Sequence, residues 1–203
     1  MKLFRSTSIT DLEMRVASAK DEAGIERVCL STADSGQDAS ALYSRADLPA
    51  LIWATPYLAH SPKNCFVIVH KDDIVGFIVT TPNTREFEQW QREVWWPQVA
   101  VKLDGFEPKT PQDEGALNAI NQPLPAYADK YPAHLHINLL PQVQGTGFGR
   151  KLMSAAMEKL AADGVSGVHL GVSYRNTNAI GFYKAMGFDE IAQTGALILG
   201  KAL

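Results

Sequence analysis

Residues His134 to Leu160, HLHINLLPQVQGTGFGRKLMSAAMEKL, read as a strand, a glycine-rich turn and a helix in immediate succession. Polar and apolar residues alternate from His134 to Leu139, the period-2 pattern of a strand, extending to Leu140. Pro141 ends the ladder because it has no N–H to donate. Gln144-Gly145-Thr146-Gly147-Phe148-Gly149 then leads into a helix with Phe148, Leu152, Ala155, Ala156 and Leu160 on one face. A turn of this kind aims backbone N–H groups and the positive end of a helix at one point, which makes an anion site, most readily for phosphate.

Three glycine patterns compete for this turn. A P-loop needs Lys followed by Ser or Thr after its last glycine, and Gly149-Arg150-Lys151-Leu152 does not supply it. A dinucleotide fingerprint needs GxGxxG, whereas Gly145, Gly147 and Gly149 alternate as GxGxG. The pattern Gln/Arg-x-x-Gly-x-Gly/Ala is matched in full by Gln144 to Gly149.

The rest of the chain sets the context. With 203 residues, 46% hydrophobic and 20% charged, the composition is that of a soluble globular protein with a sizeable core. A formal net charge of −3 argues against a nucleic-acid partner. The sequence has no apolar run near the roughly 20 residues of a bilayer span, and the N-terminus lacks the apolar core of a secretory signal, so a cytoplasmic location and no membrane partner are expected. Cys29 and Cys65 lack metal spacing and read as reduced core residues; His60, His70 and His169 show no metal spacing either, and no metal is expected.

Along the chain, residues 1–11 form a lead-in, 12–19 a first strand, and 22–31 a helix burying Ile25, Val28 and Cys29. Short helices are expected over 39–43 and 48–58. Runs 64–70 and 74–80 form a hairpin about a tight polar turn. The segment 82–132 is an insertion with helices over 85–96 and 112–120, and Trp90, Trp95 and Trp96 in it either staple it to the sheet or wall an acceptor pocket. Strands at 168–172, 188–192 and 196–203 and a helix at 178–186 complete an α/β chain with a mixed sheet. Gly164 and Gly187 fall where left-handed helix caps belong. No linker divides the sequence, so a single domain over 1–203 is expected.

One strand downstream of the glycine turn lies NTNAIGFYKAMGF, Asn176 to Phe188. The two patterns in this order resemble those of the GCN5-related N-acetyltransferase family, in which an asparagine precedes a helix ending in Tyr and Gly-Phe. The run Tyr131 to Pro141, with the tryptophan-bearing insertion, is further similar to a bacterial subgroup related to the C-terminal domain of O-GlcNAcase.

The resemblance implies a mostly antiparallel sheet, flanked by helices, whose central strand pair splays to admit the pantetheine arm of acetyl-CoA. It implies that Asn138, Leu139 and Leu140 contact that arm and that Asn176 supports it. The pyrophosphate would rest on Gln144, Gly145, Thr146, Gly147, Gly149 and Arg150. It implies that Tyr183 protonates the departing thiolate. Relatives carry an acidic residue where this chain has Asn138, which moves any base elsewhere. His134 and His136 share a strand face with Asn138 and titrate near neutrality, so either is a candidate base, and either can equally be a histidine hydrogen-bonded within the sheet.

The expected activity is N-acetyl transfer from acetyl-CoA to a primary amine of a small molecule or peptide, by direct attack, since neither cysteine falls in the motifs. A homodimer stays an open option. The alternatives are a catalytically silent module binding acyl-CoA or a peptide or protein partner, and an enzyme using the glycine turn for ATP.

Overall fold

The computed structural model describes residues 11–120 and 122–203; of the expected lead-in, all but Asp11 lies outside them. The two β-rich runs meet as a hairpin, β1 (Leu12–Val16) lying beside β2 (Cys65–His70), which pairs with β3 (Asp73–Thr81). The connecting Lys71 and Asp72 are both left-handed, at φ 49° and 70°, the two-residue turn whose twist matches that of the strands it joins. β4 (Ala133–Leu139) pairs with the far side of β3, and β5 (Gly167–Val172) lies parallel to β4. With β6 (Asp189–Gln193) and β7 (Leu197–Ala202) the sheet has seven strands in the order β1-β2-β3-β4-β5-β7-β6, antiparallel throughout except at β4–β5. This is the mostly antiparallel, helix-flanked sheet that the sequence predicts.

Alternation along the strands feeds two cores. One face takes α7 (Phe148–Ala162) and α8 (Thr177–Ala185), with Leu135, Leu152, Met153, Leu160, Leu170 and Leu199 among its buried residues. The buried face of α7 is wider than the sequence stripe, taking in Gly149, Met153 and Met157, while Ala155 is only half-buried. The other face takes α1 (Glu22–Leu30), α2 (Leu48–Trp53) and α3 (Thr55–His60) around Ile25, Val28, Phe77 and Val79. Both cysteines are buried free thiols, Cys29 in α1 and Cys65 at the head of β2.

The sequence reading needs correction at three helices. Residues 39–43 form a turn, not a helix, with Leu42 N–H bonded to Ala39. The helix expected over 48–58 breaks at Ala54 (φ −138°), because Pro56 has no N–H for the Ile52 carbonyl; the Thr55 hydroxyl bridges the break by donating to the Ala50 carbonyl at 3.1 Å. The insertion helix runs on as α4 (Thr84–Trp90), a π-helical turn over Gln91–Trp95 and α5 (Trp96–Lys102), the wider turn absorbing Pro97.

The insertion makes a third core with α2. Trp95 and Trp96 bury against Leu48, Leu51, Ile52 and Val99, and Trp95 Nε1–H donates to the Leu51 carbonyl at 2.9 Å. Asp113, in α6 (Pro111–Asn118), is fully buried and accepts from the N–H groups of Ser44, Lys109 and Thr110 and from the Ser44 hydroxyl. Burial would raise its pKa, but these bonds outweigh it and the carboxyl is held below its ordinary value.

Candidate active site

β4 is paired with β3 over six positions, from Thr81↔His134 to Gly76↔Leu139. Its pairing with β5 covers only Ala133↔Val168 and His134↔His169. From Leu135 onward the β5-facing edge of β4 therefore has no strand partner, and the two parallel strands diverge into a split. Gly76 keeps the intact side of β4 tight: a Cβ there would lie 2.6 Å from a Leu139 methyl and 3.3 Å from the Asn138 carbonyl oxygen.

The split opens toward the glycine turn. Gly145 and Gly147 are left-handed, at φ 75° and 87°, and space is open around both. Gly147 is the residue from which α7 starts, and the first intrahelical bond is from Lys151 N–H to the Gly147 carbonyl, 3.2 Å. The N–H groups of Phe148, Gly149 and Arg150 precede that bond and, as in any first helical turn, have no carbonyl of their own helix to meet. Gly149 serves closeness instead: its Cβ would stand 2.9 Å from Leu139 and 3.8 Å from Phe182, so strand end, helix start and α8 converge there.

The side chains of the turn are partly committed. Gln144 Nε2 donates to the Leu139 carbonyl (3.0 Å), the Thr146 hydroxyl donates to Val143 (2.6 Å), and Arg150 leans onto Met186 Sδ (3.2 Å). The N–H groups of Gln144 and Thr146 are also taken, by the Pro141 and Val143 carbonyls at 3.3 and 3.4 Å, so the donors this turn offers an anion are the N–H groups of Gly145 and of Gly147 to Arg150, not those of Gln144 and Thr146.

Tyr183 lies in the core on the α7–α8 face, its ring between Phe182 and Phe188 and only 8% exposed. Burial raises its pKa well above the ordinary phenol value, so the proton stays on. Among the described residues no group hydrogen-bonds its hydroxyl. Asn176 caps α8, its Oδ1 accepting Ala179 N–H at 3.1 Å, and sits against the Asp34–Gln37 turn, where a Cβ on Gly36 would be 3.7 Å from Asn176 Nδ2.

His134, His136 and Asn138 lie on the opposite face, as period 2 requires. Asn138 Nδ2 donates to Thr32 Oγ1 (2.7 Å), whose hydroxyl in turn donates to the Val28 carbonyl at the end of α1. The rings of His134 and His136 meet the edge of Tyr57, at 5.2 and 5.4 Å between centroids. Burial, reinforced by His169, pushes the His136 imidazole down to about 4. Burial, then His169 and His136, holds His134 well below its ordinary value. Both rings are therefore neutral at pH 7. Among the described residues no group hydrogen-bonds the ring nitrogens of His136, whereas His134 Nδ1 lies 2.8 Å from Thr84 Oγ1.

Tyr183 and His136 thus lie on opposite faces of the sheet. Asn176 stands beyond, at the α1–α2 loop. Four neighbours escape sequence reasoning: Tyr57, Thr84, Phe87 and His169. His169 pairs with His134 across the last closed rung of β4–β5, with ring centroids 5.5 Å apart, and donates from Nδ1 to the Tyr131 carbonyl at 2.7 Å. Strand periodicity could have placed His169 on this face, but nothing local in the sequence announces that α3 and α4 bring Tyr57 and Phe87 to it. The three tryptophans divide: Trp95 and Trp96 are core, while Trp90 stacks on Phe87 (6.0 Å) and lies 4.9 Å from His60 on the histidine side.

The acetyltransferase (GNAT) family model matches residues 35–188. Among solved structures, that of SsHAT is 34% identical, with a TM-score of 0.88 over 95% of this chain and 98% of that one. PaiA N-acetyltransferase from Thermoplasma acidophilum, solved in complex with coenzyme A, shares the fold at 14% identity and a TM-score of 0.59, over 95% of this chain and 99% of that one. Among curated proteins, Protein O-GlcNAcase of Rattus norvegicus and that of Mus musculus are each 23% identical over 195 residues. The match covers 91% of this chain and 21% of each relative, so the chain spans about a fifth of their length.

Proposed function

This chain belongs to the acetyltransferase (GNAT) family, whose acetyl donor is acetyl-CoA, and on that premise we propose that it acetylates a primary amine of a small molecule or peptide by direct attack. The observation that carries the reading is the split between β4 and β5 from Leu135 onward, open beside the head of α7.

The chain's residues fit the donor. Glycines at 145 and 147 hold the turn left-handed with space around them, and the N–H groups of Gly147 to Arg150 suit a pyrophosphate. Of the three strand residues expected to hold the arm, Leu140 turns its N–H to the Val75 carbonyl of β3 (3.0 Å) and Asn138, two positions before it, shares that edge, so Leu139 is the one whose backbone borders the split; Asn176, beside the α1–α2 loop, would support the arm. The bound thioester supplies an activated acetyl carbon. Tyr183, protonated and without a hydrogen-bond partner among the described residues, donates its proton to the departing thiolate. A neutral imidazole on the other face, His134 or His136, takes the proton that the attacking nitrogen must lose. The insertion contributes Trp90 to the acceptor side.

Isothermal calorimetry with acetyl-CoA, followed by thiol-release assays over a panel of amines, tests the reading. Binding of acetyl-CoA with amine-dependent thiol release is expected. No binding at millimolar acetyl-CoA overturns the enzyme reading, and binding without release to any amine supports a silent acyl-CoA module in its place.

A further inference from the structure

Thr84, the first residue of the insertion's leading helix, is clamped onto the residue that leads into the catalytic strand. Its N–H and its hydroxyl both lie 2.7 Å from the Pro132 carbonyl oxygen, and the hydroxyl oxygen is also 2.8 Å from His134 Nδ1. Two oxygens at 2.7 Å need a proton between them, and a carbonyl has none to give, so the Thr84 hydroxyl proton points at Pro132. Thr84 Oγ1 then meets His134 only as an acceptor, and the proton of that contact belongs to His134 Nδ1. A neutral imidazole carries one N–H, so Nε2, on the far side of the ring, keeps its lone pair.

The ring is fixed in place as well as in tautomer. Tyr57 and Phe87 meet it edge-on at 5.2 and 5.4 Å between centroids, and His169 lies tilted beside it at 5.5 Å. The titratable groups facing it are His136 on the same strand, His169 on β5 and Tyr57 on α3. His169 is held in the same tautomer by the Tyr131 carbonyl. His136 has no such anchor among the described residues.

We propose that Thr84 is a positioning residue: by accepting the Nδ1–H of His134 it holds the Nε2 lone pair ready, and so makes His134, not His136, the base of the reaction. The inference rests on the acetyltransferase reading above. His134 Nε2 takes one proton from the attacking nitrogen and becomes imidazolium; the C–N bond forms and the C–S bond breaks. The thiolate takes the Tyr183 proton, the phenolate recovers a proton from solvent, and His134 returns its own to solvent.

The test uses the full chain and two readouts. Nitrogen NMR of histidine-labelled protein at pH 7 reads the tautomer without turnover: His134 protonated at Nδ1 is expected, and protonation at Nε2 overturns the proposal. Thr84→Val is expected to mix the His134 tautomers and to lower kcat by about tenfold or more with the KM for acetyl-CoA unchanged. Thr84→Ser is expected to restore the tautomer and most of the rate. An unchanged kcat in a folded Thr84→Val overturns the positioning role.

Should the valine variant not fold, His134→Gln against His136→Gln decides the base: a greater loss of kcat in the His136 variant overturns the proposal. If the wild type binds acetyl-CoA but acetylates no amine, the acetyltransferase reading fails while the NMR result still stands for the tautomer.

Discussion

At the scale of single residues, burial acts in opposite directions on the two faces of the sheet: it raises the Tyr183 pKa, keeping the phenol protonated, and lowers those of His134 and His136, keeping the imidazoles neutral. Tyr183→Phe removes one oxygen from a ring held by packing, not by a hydrogen bond, so the fold and acetyl-CoA affinity should persist. The rate should fall by about a hundredfold, in the range typical of a lost general acid. Steady-state kinetics beside calorimetry checks this, and an unchanged kcat removes Tyr183 from the mechanism.

At the scale of elements, α7 allows a controlled comparison, because left-handed glycines bound it at both ends. Gly147 (φ 87°) stands at the head of the helix and Gly164 (φ 77°) just past its other end, and neither has a neighbour within 4 Å of an added Cβ. Replacing either by alanine should cost about 1 kcal/mol through backbone strain alone, as read by urea unfolding. Gly147→Glu should in addition abolish acetyl-CoA binding in calorimetry by placing a carboxylate where phosphate is expected, whereas Gly164→Glu should leave binding intact. Equal affinities in the two glutamate variants would dissociate the turn from the cofactor.

The first strand and helix are tied by one carboxylate. Asp21, 5% exposed, accepts two bonds from Arg15 at 2.7 and 2.8 Å and also bonds Ser18, and the Arg15 guanidinium, ahead of Ser18, pulls its pKa down to about 2. Because the folded value lies below the unfolded one, this stabilisation is complete above about pH 4 and disappears as pH falls through 2. Asp21→Asn should therefore cost about 1–2 kcal/mol in urea unfolding at pH 7, and progressively less toward pH 2.

At the scale of the whole molecule, three packed imidazoles, His169 buried and His134 and His136 half-buried, make stability depend on pH in the mildly acidic range. His134, His136 and His169 all have folded pKa values below 6.5, burial being the leading cause in each. The unfolded chain consequently binds more protons than the folded one as pH drops below 6.5, and stability falls with it, down toward the His136 value of about 4. Urea unfolding at pH 7 and pH 5 should show the drop, and His136→Gln should flatten it. A wild type equally stable at both values would mean that the histidines are not held neutral.

Local signals were enough for much of this molecule. The alternation of His134 to Leu139, the stop at Pro141, the left-handed glycines and the apolar stripe of α7 are short-range properties of the backbone, and they placed the strand, the turn and the helix within a residue or two. The same holds for the hairpin. Long-range placement was another matter. A hydroxyl at Thr84 meets a ring 50 residues away, Tyr57 reaches the same face from α3, and Asn138 finds Thr32 across 106 positions. None of these contacts leaves a periodic trace, because each is set by how helices dock on the sheet.

The strand–turn–helix unit and its partner motif therefore pointed by themselves to the fold and to the left-handed turn at the head of α7. Only the tertiary structure decided how far β4 and β5 stay paired, and which histidine has a fixed tautomer. The physical reason is range: backbone sterics and side-chain periodicity act within a few residues, whereas burial and hydrogen-bond partnership are properties of surfaces brought together only by packing.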